Sequence, residues 1–166
     1  DLPGTDIHAF AQDPADARRL YALVVGAGVL TSADGGATWD PLPAQPPGVG
    51  GHGALATDGA FVYAATAEGL LRSSDGGATW EPTPAQPNGM LISLAIPSAA
   101  QQTLYAGTES GLAKSTDGGA SWADLGPSDV PVLALAVTAS DPDRILLVDN
   151  TGAVYRSTDG GASWTT

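Results

Sequence analysis

The residues of this chain whose types could do chemistry are few: Glu68, Glu109, the adjacent Asp149 and Asn150, and the histidines His8 and His52. Two carboxylates about 5–9.5 Å apart across a sugar would make a glycoside hydrolase. Glu68 and Glu109 fall in neighbouring segments but not at matching positions, and Glu81 lies just past a tryptophan. His8 and His52 occupy matching places, where two later segments have Ile92 and Leu133. Two imidazoles could share a metal or report pH. Only Asp6 stands near as a third ligand, so satisfied or solvent-facing histidines are expected, with no metal and no cofactor. No Ser-His-Asp spacing, Gly-x-Ser-x-Gly, phosphate loop or zinc motif occurs. No catalytic residue is assigned. Glu68, Glu109, Asp149, Asn150, His8 and His52 form the candidate binding set.

What must position them is one phrase written four times: Ser32–Trp39, Ser73–Trp80, Ser115–Trp122 and Ser157–Trp164. Its aspartates are Asp34, Asp75, Asp117 and Asp159; its tryptophans, Trp39, Trp80, Trp122 and Trp164, fall 41, 42 and 42 residues apart. A period filling the chain signals a repeat architecture. Asp-Gly-Gly between β-rich runs predicts a tight turn, because glycine takes positive φ freely and a short carboxylate accepts nearby backbone N–H groups. The tryptophan is expected to plug its own corner. Calcium would need six to eight oxygens where each copy offers one carboxylate, so the corners are read as structural.

The phrase Ser-x-Asp-Gly-Gly-x-Thr/Ser-Trp resembles the Asp-box, or BNR repeat, of sialidase-like β-propellers. It is also similar to copies in sortilin-type receptors, xyloglucan-cleaving glycosidases and photosystem II assembly factors of the Ycf48 type. The resemblance covers all four units and implies blades, with the box at the blade rim away from any active site. It does not extend to sialidase chemistry, which would use three arginines and a Tyr–Glu nucleophile. Arg72, Lys114 and Arg156 each precede a box serine, Arg19 and Arg144 each open a second strand, and only Arg18 is left over.

The expected fold is all-β, a β-propeller of four blades, each a four-stranded antiparallel sheet, closed alone or forming half of a larger ring. In the first unit the strands are expected at Ile7–Gln12, Arg19–Val25, Gly28–Ala33 and from Thr38 to Leu42, and the later units follow suit. One domain is expected over residues 1–166, with blades near 5–45, 46–86, 87–127 and 128–166, residues 1–4 completing the last blade. Tyr21, Tyr63 and Tyr105 read as blade core. The loops after the fourth strands and between the second and third strands should share one face. That face carries Glu68, Glu109, Asp149 and Asn150.

With 18 acidic against 6 basic residues and a net charge of −12, nucleic acid and anionic membrane surfaces are excluded as partners. No apolar run of about 18 residues offers a membrane-spanning helix. The first 25 residues lack a basic leader, and with no cysteine the redox compartment is open. The favoured function is a non-catalytic binding or assembly module presenting loops to a protein or glycan partner. The alternatives are an Asp-box glycoside hydrolase and a structural subunit of a larger complex, with self-association expected if the ring is incomplete. The resemblance implies an extracellular, cell-surface or periplasmic home.

Overall fold

A computed structural model describes residues 2–4, 6–50, 53–97, 102–138 and 140–166. The first sheet contains β1 (Ile7–Gln12), β2 (Leu20–Val24), β3 (Gly28–Ser32) and β4 (Asp40–Pro41). The second contains β5 (Ala54–Thr57), β6 (Val62–Thr66), β7 (Gly69–Ser73) and β8 (Glu81–Pro82). The third contains β9 (Leu91–Ala95), β10 (Leu104–Thr108), β11 (Gly111–Ser115) and β12 (Ala123–Asp124). The fourth contains β13 (Val132–Thr138), β14 (Asp141–Asp149) and β15 (Val154–Ser157). A single bridge between Arg156 and Thr165 stands there in place of a fourth strand. Each sheet is an antiparallel meander in chain order, so the fold is all-β and built of four propeller blades.

The chain divides into two compact units, Asp1–Pro82 with sheets one and two and Thr83–Thr166 with sheets three and four. In the first unit Ala11, Tyr21, Leu23, Val29 and Leu42 of the first sheet pack on Leu55, Val62 and Ala64 of the second, with Trp80 at the margin. A second cluster, Ala22, Val24 and Leu30, is covered by Leu2, Ala27 and Trp39. In the second unit Tyr105 and Leu112 pack on Val132, Ile145 and Leu147, with Leu125 and Trp164 alongside. Burial of such side chains is worth about 1.5–3 kcal/mol each, which makes sheet-on-sheet packing the main source of each unit's stability.

The box geometry explains why the fourth strands start late. Thr38 N–H and Oγ1–H donate to the two oxygens of Asp34 at 2.9 and 2.7 Å, and Ser32 Oγ donates to Asp34 Oδ1 at 2.8 Å. Gly36 N–H in turn donates to Ser32 Oγ at 2.9 Å. The same bonds recur around Asp75, Asp117 and Asp159. The carboxylate thus binds four residues ahead, beyond the two that the Asp-Gly-Gly pattern suggests. The turn runs through the tryptophan, and the fourth strand is two residues long where a longer segment from Thr38, Thr79 or Ser121 is expected.

These donors stabilise the ionised carboxylates. The Thr79, Ser121 and Ser163 hydroxyls, then the N–H groups of the same residues, hold Asp75, Asp117 and Asp159 down to about 2. The Thr38 N–H, then its hydroxyl, puts Asp34 still further below the usual carboxylate range.

The tryptophans differ from expectation in their partners. Trp80 Nε1 donates to the Ala44 carbonyl at 2.9 Å, Trp122 to Ala85 at 3.1 Å and Trp164 to Leu125 at 3.1 Å. Each indole reaches the segment some 36–39 residues before it. An indole N–H drawn out of water requires an acceptor, and a carbonyl of that segment lies within reach. Only Trp39 bonds within its own box, to Gly36 O at 3.1 Å.

The second box glycine receives the same segment. A Cβ on Gly77 would lie 2.8 Å from Leu42, one on Gly119 2.9 Å from Thr83 and one on Gly161 3.0 Å from Leu125. All three have φ between +86° and +95°, so glycine is required twice over.

Candidate functional site

The loops that follow the fourth strands are tied to the loops between second and third strands, which gives each unit one built loop face. In the first unit Ala67 N–H donates to Gly48 O at 3.2 Å. Glu68 is exposed there, its N–H held by Thr66 Oγ1 at 3.1 Å. In the second unit Glu109 N–H donates to Met90 O at 3.1 Å, Asp129 N–H to Ser110 O at 2.9 Å, and Ser110 N–H to Thr108 Oγ1 at 3.1 Å. Glu109 is exposed on this ledge. The threonine that ends each second strand, Thr66 or Thr108, caps its own turn. That fixes the loop backbone and leaves the following side chains free to face outward.

Glu68 belongs to the first unit and Glu109 to the second. Asp149, expected on the loop face, is buried, and its Oδ1 accepts from Thr151 N–H, Thr151 Oγ1–H and Ala153 N–H at 2.8, 2.8 and 2.9 Å. Tyr155 donates to its Oδ2 at 3.2 Å. These bonds, led by the Thr151 hydroxyl, hold the carboxylate below its ordinary value. Burial and the Asp149 partner raise Tyr155. Asp149 closes a turn, with both of its oxygens engaged there. Asn150 is exposed at that turn.

His8 sits on β1 with Nε2 2.9 Å from Asp6 Oδ1, and His52 lies outside the described residues. Among the described residues no group of three or more His, Cys, Asp or Glu is placed to hold a metal.

The second unit's loop face also holds a groove of about 230 Å³. Its walls include Asn88, Thr108, Ser110, Asp124, Ser128 and Asp129. Asn88 Nδ2 donates to Asp124 Oδ2 at 3.3 Å across it. None of these six is in the candidate binding set. The signal available was that Ser110 adjoins Glu109 in a variable loop and that the proline-rich loops contain Asn88 and Asp129. The groove offers hydroxyls, an amide and two carboxylates: hydrogen bonding to peptide or sugar, with a preference for cationic groups.

The family model described as Photosynthesis system II assembly factor YCF48 matches residues 54–166. No curated protein matches the chain. Among solved structures, an ancestral GH74 enzyme aligns with TM-score 0.75 at 22% identity, over 97% of this chain and 24% of its own. YCF48 from Cyanidioschyzon merolae aligns with TM-score 0.69 at 17% identity, over 99% of this chain and 57% of its own. A YCF48 solved bound to D1 peptide aligns with TM-score 0.63 at 17% identity, over 99% of this chain and 69% of its own. At these identities the structural likeness shows the fold, and this chain spans about a quarter of the GH74 enzyme and less than two thirds of the algal YCF48. The family model covers more than half of the chain, including all of the second unit, and on that ground the chain belongs to the photosystem II assembly factor YCF48 family.

Proposed function

We propose that this chain is a protein-binding assembly module that holds an extended peptide segment of a client protein on the loop face of its second unit. The observation that carries the reading is the groove between Asn88, Ser110, Asp124 and Asp129, in the part of the chain matched by the family model. The YCF48 solved with a D1 peptide supports a peptide as the ligand class. Bonded ledges such as Ser110 to Asp129 keep the groove's shape before binding, which lowers the ordering cost of capture. Hydroxyls and the Asn88 amide match a peptide backbone, and Asp124 and Asp129 match lysine, arginine or amide side chains. Glycoside hydrolysis gains no comparable support: no carboxylate pair is described at Glu68 or Glu109, each of which stands exposed on its own loop. An extracytoplasmic home, implied by the Asp-box resemblance, is part of the proposal and is tested by fractionating cells that express the tagged chain.

Fluorescence polarisation with a labelled D1 peptide tests the function. Saturable binding that falls about tenfold or more in Asp129→Lys and Ser110→Arg supports it. Binding that both variants leave unchanged, or no binding at all, contradicts it.

A further inference from the structure

The fourth sheet leaves open a face that the other sheets bury. In register, Tyr21, Tyr63 and Tyr105 lie opposite Ala11, Ala56 and Ala95 on one side and Thr31, Arg72 and Lys114 on the other. All three tyrosines are buried. Leu146 holds this place in the fourth sheet, between Ala136 and Arg156, and is 47% exposed. Val154 is 52% exposed, whereas its counterparts Val29, Leu70 and Leu112 are buried.

Within each unit the leading sheet has this face covered by the sheet that follows. In the first unit Gly59 and Ala60, between β5 and β6, line one groove with Arg19 and Tyr21. In the second unit the Tyr105 hydroxyl donates to Pro142 O at the start of β14, 3.3 Å away. The matching place on the fourth sheet is a groove of about 370 Å³ among Ala136, Arg144, Leu146 and Arg156, lined only by that sheet.

One of its two charges is also unmatched: Arg144 pairs with Asp141 at 3.0 Å, and Arg156 does not. Arg72 pairs with Glu81 at 2.9 Å, and Lys114 stands 5.2 Å over the Tyr105 ring. Among the described residues the Arg156 side chain has no carboxylate within ion-pair distance, in a chain of net charge −12.

We propose that this face docks a second copy of the chain, which seats the Trp39 side of its first sheet there. That side has the form of the faces already used for such packing. Leu2 and Trp39 lie on one cluster as Leu42 and Trp80, and Leu125 and Trp164, lie on theirs, and Phe10, 51% exposed, lies edge-on to the Trp39 ring at 5.5 Å. The turn between β1 and β2 presents the half-exposed Asp16, 3.6 Å from Arg18, while Asp13 is buried and accepts from Ala15 N–H. In the docking mode seen inside each unit, the turn of the incoming sheet lies over the Tyr position, so Asp16 would come to Arg156. The contact is head-to-tail, with different patches on the two copies.

Sedimentation of the full chain across a wide concentration range tests this. The expected result is a mass of at least twice 16.5 kDa that reverts to one chain in Leu146→Glu and in Phe10→Glu, both with unchanged circular dichroism and melting. Arg156→Glu should weaken association about tenfold. The two single variants mixed should recover a heterodimer, because each retains the patch the other has lost. Wild type at single-chain mass throughout would overturn the proposal, as would association that Leu146→Glu leaves intact. Association lost in Leu146→Glu, kept in Phe10→Glu and not rescued by mixing would mean that the fourth sheet meets its own copy, and would overturn the assignment to the first sheet.

Discussion

The third and fourth sheets of the second unit are built on the same phrase and the same register, yet one is sealed and the other open. Tyr105 and Leu112 are buried between sheets; Leu146 and Val154, at the same two places, are about half exposed. β10 is buried along its whole length, while β14 alternates between covered and open. A strand's local sequence sets its pairing and its turns. What covers its outer face is set by the next sheet, so equal strands acquire unequal energetic weight.

The comparison is sharpest in mutations at the paired positions. Tyr105→Ala removes a sealed aromatic ring and its bond to Pro142, so denaturant melts should show a loss of about 3–5 kcal/mol. Gly119→Ala brings a Cβ to 2.9 Å of Thr83 at φ +86°; a loss of about 1–3 kcal/mol is expected by the same assay. An equally strong response at Gly152, where an added Cβ meets nothing within 4 Å, would show that the left-handed φ and not the close approach dominates.

Acid should act on the corners before the sheets. Asp75, Asp117 and Asp159 are held down to about 2 when folded against an ordinary 3.8, so their contribution is complete above about 4 and is lost as pH falls toward 2. Thermal melts from pH 5 to pH 2 should drop across that window, and less steeply in Asp75→Asn. The smallest effect is expected at Leu146→Ala, within about 0.5 kcal/mol of wild type in dilute protein, because the removed atoms already meet water.

Much of the architecture was legible because it rests on local chemistry. Gly-Gly after Asp forces the turns, and β1, β5 and β13 occupy the residues their alternation predicts. The long-range terms were not legible. Nothing in the box says that Trp80 donates to Ala44 instead of its own corner, or that Leu42 sits against Gly77. Asp149 reads as a free acid until Thr151 and Tyr155 are seen to fold back on it. The groove residues Asn88 and Asp124 come from segments 36 residues apart, a spacing that carries no motif. The exposure of Leu146 is beyond sequence altogether, since its position is one that three tyrosines bury.

Hydroxyl-radical footprinting in dilute protein tests this inequality of cover most directly. Relative to intrinsic reactivity, Leu146 and Val154 should be oxidised several-fold faster than Tyr105 and Leu112, which should be protected. Equal protection of all four at a dilution where the chain sediments as a single copy would contradict it.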